Sequence, residues 1–288
     1  MTKKNVTIGL AILAFLLALG LTLYPLIASR YNEAHQSQIQ QEYQQVVEQQ
    51  DNTEKEKALE LARQYNAALQ PGVWDSDSQD LLLWASEDYA DQLDITGTGI
   101  MGYVQIPAIE VNLPIFHGTS NATLEKGIGH LLGSSLPVGG LGTHTVLTGH
   151  SGMASQKMFS DLNLLKTGDV FYLDVLGERL AYQVDDIHVV LPYDTSQLGI
   201  VPGEDYCTLV TCTPYGVNTH RLLVRGSRIP WEETEEKVEE AVQAEPHEST
   251  WEREYLKGIC IAIGIVALAD VIALAVWLCR RYRNEKVS

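Results

Sequence analysis

From Gly99 to Pro230 the chain is cut into short runs of β-branched and aromatic residues by Gly, Pro and Asn. "MGYVQIP", "VNLPIF", "HTVLTGH", "DVFYLDV", "RLAYQVDDIHVV", "YCTLVTC" and "RLLVRGSRI" read as strands. Seven or eight short strands within about 130 residues predict a mainly β domain, closed as a barrel or stacked as a sandwich. "SQKMFSDLNLL", near 155 to 165, reads as a short helix among them. Upstream, residues 33 to 69 are rich in Gln, Glu and Ala and lack Pro and Gly, a helical composition. Thr53 with Glu56 makes a capping-box pattern. Ala58, Leu61, Ala62, Tyr65, Ala68 and Leu69 then recur at helical spacing, so a second helix is expected from near 54 to the "QPG" at 70 to 72. The polar run before it reads as a solvated stalk.

The two ends differ from this middle. No residue between Lys4 and Arg30 is charged, and "VTIGLAILAFLLALGLTLYPLIAS" is long enough to cross a bilayer as a helix. A second apolar run, Gly258 to Cys279, is followed by "RRYRNEKVS". Basic residues therefore flank both runs on their outer sides, which predicts two transmembrane helices, both termini cytoplasmic and the intervening chain outside the cell. The first run exceeds a signal-peptide core, and "LIAS" is a poor cleavage site, so an uncleaved anchor is expected. Asp270 lies near the middle of the second run, where a carboxylate must be neutral or paired. It reads either as a hydrogen-bonded acid or as a group joining the two spans or two copies of the chain. Of the 20 Lys and Arg, eight lie in the end segments; of the 37 Asp and Glu, only Asp270 and Glu285 do. Residues 31 to 256 thus carry 12 basic against 35 acidic side chains, a net charge of −23, which opposes nucleic-acid binding and favours solubility or a basic partner.

The chemistry gathers in "YCTLVTCTPYGVNTHRLLVRG", residues 206 to 226. Cys207 and Cys212 are five positions apart, and in a strand such residues point to opposite faces. They cannot easily bridge, and "CTLVTC" has no Gly or Pro to bend both onto one metal. Cys207 reads as a packed residue, and Cys212, directly before "TPYG", as the one opening into a loop. A thiol nucleophile needs a proton carrier and a donor for the oxyanion. His150 in "VLTGHSG" closes another strand at a glycine-containing loop. Arg221, nine residues after Cys212, sits on the return strand of what reads as a hairpin. The three together are a candidate acyl-transfer site.

At these residues the sequence resembles the sortases, Gram-positive cysteine transpeptidases that anchor or polymerise surface proteins. "TLVTC" matches the nucleophile motif and carries Cys212, "LTGH" the histidine motif and His150, and "RLLVRG" the arginine strand and Arg221. Within the family, "TCTPYGVNTHRLLVRG", "TVLTGHSG", the helical extension and the second apolar run look like class C, the pilin-polymerising sortases. The resemblance implies a closed eight-stranded β-barrel with N-terminal helices and a groove at one end. It implies attack by Cys212 on the threonine carbonyl of an LPxTG-like signal and transfer of the acyl group to a pilin lysine, with no cofactor or metal. Partners would be pilins or other LPxTG-type surface proteins, and the membrane. Class C members commonly close the groove with a lid carrying Asp-Pro and an aromatic. The corresponding "QPGVWDSDSQD" departs from that pattern: it offers Trp74, then Asp75 and Asp77, and no Asp-Pro.

Three other features read as structural. "DSDSQD" lacks the glycine and the twelfth-position acid of a calcium loop. "LPVGG", at 136 to 140, reads as a turn, and His117, His130, His144 and His220 share no ligand spacing. His144 is the rival to His150, set further back in the same strand. The expected organisation is an anchor (1–30), a helical extension (31–70), a lid and connector (71–98), the β-barrel (99–230), an acidic linker (231–257) and a second span with a basic tail (258–288). Two enzyme alternatives stay open, a wall-anchoring sortase and a cysteine peptidase. The non-enzyme alternative is an anchored adhesin or assembly scaffold.

Overall fold

The computed structural model describes residues 3–69, 89–153 and 156–249, with 253, 255–266, 268 and 275 near the C-terminus. Tyr24–Glu248 form one compact unit, and Met1–Leu23 with Ser249–Ser288 form another. In the larger unit eight strands close into a barrel: β1 (Ile100–Ile106), β2 (Val111–His117), β3 (Ile128–His130), β4 (Thr143–Thr148), β5 (Val170–Val175), β6 (Glu178–Val190), β7 (Asp205–Thr213) and β8 (His220–Arg228). Around the barrel they run β1, β2, β3, β4, β7, β8, β6, β5. The barrel, not the sandwich, is the architecture. β3 is the strand that the sequence pattern misses, because three residues are too few to display alternation.

Alternation explains the core. In β7, Cys207 and Leu209 point inward and are fully buried with Leu147, Leu222 and Val224. Val210, of opposite parity, packs instead with Val146, Leu198 and Leu223 on the other face of the sheet. The β5–β6 hairpin turns at Leu176 and Gly177, both at positive φ (50° and 91°), as a two-residue turn matching strand twist requires. Leu176 tolerates that conformation with its side chain in the core and its N–H donated to the Tyr43 hydroxyl at 3.3 Å.

The helices are more closely integrated than their sequence suggests. α1 (Lys3–Gln49) ends by burying Tyr43 and Val47 in the barrel core, so this part of the polar run is not a solvated stalk. The Tyr43 hydroxyl donates to the Met101 carbonyl, and burial pushes its pKa up to about 12. α2 (Asn52–Ala68) begins two residues earlier than the Thr53 pattern predicts: the Asp51 side chain caps it by accepting the Thr53 N–H. Its buried Asn66 holds both backbone groups of Leu136, donating to the carbonyl at 3.0 Å and accepting the N–H at 2.7 Å. A four-residue helix, α3 (Asn121–Leu124), is capped by Ser120. The helix expected near 155 to 165 is, among the described residues, only a 3-10 turn at Leu162–Leu164.

Residues read as an acidic linker form α4 (Trp231–Gln243), whose Thr234 and Val238 are buried. Val238 and Ala241 pack with Val170, Tyr172, Ala181 and Ile229, and beyond the helix the His247 N–H donates to the Ala108 carbonyl at 2.7 Å. This segment is part of the barrel's outer layer. Among the described residues no helix is long and apolar enough to cross a membrane. Within the smaller unit the Tyr255 hydroxyl donates to the Thr22 carbonyl, linking the two end segments. Asp270 lies outside the described residues.

Candidate active site

β4 and β7 run parallel and in register from Thr143 opposite Asp205 to Thr148 opposite Val210. The chain therefore leaves β4 for the loop of His150 at the same end of the barrel where β7 reaches Cys212. β8 returns antiparallel to β7 and sets Arg221 directly opposite Cys212, so the two side chains share a face. Gly149 permits the exit from β4: a Cβ there would lie 2.6 Å from Ile128 Cδ1 and 2.8 Å from Phe159 Cδ2. The Phe159 N–H donates to the His150 carbonyl at 3.0 Å and holds the far side of the loop.

His150, Cys212 and Arg221, all half-buried, line one groove of about 360 Å3. Its apolar wall is the cluster of Val146, Leu198, Val210 and Leu223. Asp194 is the groove's carboxylate, and bonds from the Ser196 hydroxyl and N–H keep its pKa below the usual carboxylate value. Among the described residues Arg221 makes no ion pair; its guanidinium donates to the His220 carbonyl at 3.1 Å. A nucleophile, an imidazole and a fixed cation at the end of an apolar groove are the parts that acyl transfer to and from a thiol requires. A second cleft, where Ser29 and Gln36 face Val111 and Asn112, contains neither thiol nor histidine.

The remaining candidates separate from this groove. Cys207 is fully buried, and burial pushes its thiol pKa well above the ordinary value. Cys207 and Cys212 are both free. His144 is 1% exposed, with Nδ1 on the Gly199 carbonyl at 2.9 Å and Nε2 on Thr208 Oγ1 at 2.7 Å. His130 is also sealed, between the Tyr89 hydroxyl and the Ser135 carbonyl, both at 2.8 Å, and burial lowers its pKa to about 4. His117 meets the Gln92 carbonyl at 2.8 Å and His220 meets Thr219. "LPVGG" is a turn, with Gly139 and Gly140 at positive φ. Trp74, Asp75, Asp77 and the "DSDSQD" stretch lie outside the described residues. The groove wall from the β6–β7 connection, Pro192 to Leu198, escapes the strand pattern. Its one sequence signal is apolar residues scattered through a long Pro- and Gly-containing connection.

The family model described as "Sortase domain" matches residues 104–229. The chain is 49% identical to the solved sortase C1 of Streptococcus agalactiae; the match covers 67% of this chain and 98% of that one, with a TM-score of 0.62. The chain belongs to the sortase family. It is also 47% identical to a Streptococcus pneumoniae sortase C, over 67% of this chain and 97% of that one, with a TM-score of 0.61. That structure is described as informing catalysis and pilin substrate specificity. Among curated relatives, Streptococcus agalactiae sortase A is 34% identical over 131 residues, 43% of this chain. The chain spans about half the length of that relative, 51%. Sortases are cysteine transpeptidases, and the two solved structures named above are sortases C.

Proposed function

We propose that this sortase is a membrane-anchored, class C transpeptidase that polymerises pilins. The observation that carries the reading is the opposition of Cys212 and Arg221 across β7 and β8, with His150 in the same groove. The Cys212 sulfur attacks the threonine carbonyl of an LPxTG-like signal, and the Arg221 guanidinium offers fixed charge and donors to the tetrahedral oxyanion. His150 gives a proton to the leaving glycine amine, so that the C–N bond breaks and a thioester remains on Cys212. A lysine amine of a second pilin then attacks the thioester, loses its proton to the imidazole and expels the thiolate, leaving an isopeptide bond. The apolar cluster beside the thiol suits the leucine and proline side chains of such a signal. The two apolar runs, with basic residues on their outer flanks, support a two-pass anchor that holds the barrel outside the cell.

The test is to incubate the full chain with an LPxTG-bearing pilin and sequence the product by mass spectrometry. A threonine carbonyl joined to a lysine side chain of a second pilin is expected. A product ending in a free carboxylate, or joined to a wall-peptide amine when one is supplied, marks instead a peptidase or a wall-anchoring sortase.

A further inference from the structure

We infer that Ser151 is a positioning residue that sets the spacing between the Cys212 thiol and the His150 imidazole. The backbone ladder between β4 and β7 ends with the Gly149 N–H donating to the Val210 carbonyl at 3.0 Å. β7 continues to Thr213, whereas β4 stops at Thr148, so the end of β7 that carries the nucleophile has lost its strand partner on that edge. Two hydroxyls extend the ladder in its place. Thr211 Oγ1 donates to the Gly149 carbonyl at 2.7 Å, and Ser151 Oγ donates to the Cys212 carbonyl at 2.7 Å.

His150 lies between Gly149 and Ser151. Both of its neighbours are therefore tied to Thr211 and Cys212 near the end of β7, one bond in each direction. Without the Ser151 hydroxyl the Cys212 carbonyl has no donor among the described loop residues, and strand end and loop can part. Proton transfer needs heavy atoms within hydrogen-bond reach, and small misplacements of reacting groups lower rates steeply. Ser151 acts through the backbone of Cys212 and not on the reacting atoms. Among the described residues the titratable and charged groups lining the groove are Cys212, His150, Arg221 and Asp194, and a change at Ser151 leaves these charges in place.

The inference rests on the reading of Cys212 and His150 as the reacting pair, and the test separates the two. Ser151→Ala and Ser151→Thr are compared with the unsubstituted full chain in two assays. One is turnover of an LPxTG peptide. The other is the pH profile of iodoacetamide alkylation, read by mass spectrometry on the peptide bearing Cys212. Ser151→Ala is expected to lower kcat about tenfold with KM within about twofold, and to shift the alkylation profile. Ser151→Thr, which restores a hydroxyl, is expected to keep kcat within about threefold. Unsubstituted kcat and an unshifted profile in folded Ser151→Ala overturn the inference. So does a loss of rate accounted for by unfolded protein in a thermal melt, or a folded Ser151→Thr as slow as Ser151→Ala. If the unsubstituted chain fails to turn over the peptide, the transpeptidase reading falls, and the alkylation profile still decides the positioning role.

Discussion

The same three residue types occur at both ends of the same three strands. His144 and His150 belong to β4 and its exit loop, Cys207 and Cys212 to β7, and Arg225 and Arg221 to β8. At the first end every member is already occupied: His144 is bonded through both ring nitrogens, Cys207 is inside the core, and Arg225 is forked onto Asp185 at 3.0 and 3.1 Å over the Tyr206 ring. At the second end all three line one groove. Residue identity therefore does not make the site. Strand parity, which turns Cys212 away from the core, and the absence of an ion pair on Arg221 among the described residues do.

The sharpest way to break this contrast is to treat both arginines alike. Arg221→Lys keeps the charge but loses the planar fork, and kcat is expected to fall about 100- to 1000-fold, about 3–4 kcal/mol of transition-state stabilisation. Arg225→Lys is expected to leave kcat within about threefold, because its loss falls on the Asp185 pair. Peptide turnover measures both, and equal effects at the two positions would erase the distinction.

A smaller effect tests the sealed histidines. Burial holds His130 at about 4, below its ordinary 6.5, and lowers His144 as well. Between those values the unfolded chain binds more protons than the folded one. The stability from a neutral His130 is therefore complete above pH 6.5 and is lost as pH falls toward 4, about 3 kcal/mol in all. Urea unfolding at pH 7 and pH 4.5 is expected to show the fall, with a shallower slope in His130→Asn. Equal slopes in the two proteins would contradict a neutral buried His130.

Much of this was legible in the sequence because it depends on local periodicity. Parity separated the two cysteines, and the hairpin return brought Arg221 back beside Cys212. What escaped depends on packing. The Glu-rich outer face of α4 hides a stripe at Thr234, Val238 and Ala241, spaced by four and three residues, which covers the barrel. The cap of α2 went to Asp51 because its carboxylate reaches the Thr53 N–H, a choice that a matching capping box at Thr53 and Glu56 obscured. The groove wall between Pro192 and Leu198 and the Ser151 bond to Cys212 exist only once the barrel brings β4, β7, β8 and the β6–β7 connection together.

The most direct measurement is mass spectrometry of the full chain after mixing with an LPxTG peptide. A thioacyl adduct on Cys212 is expected, lost in Cys212→Ala and never found on Cys207. An adduct on Cys207, or none on Cys212 in folded protein that alkylates there, would contradict it.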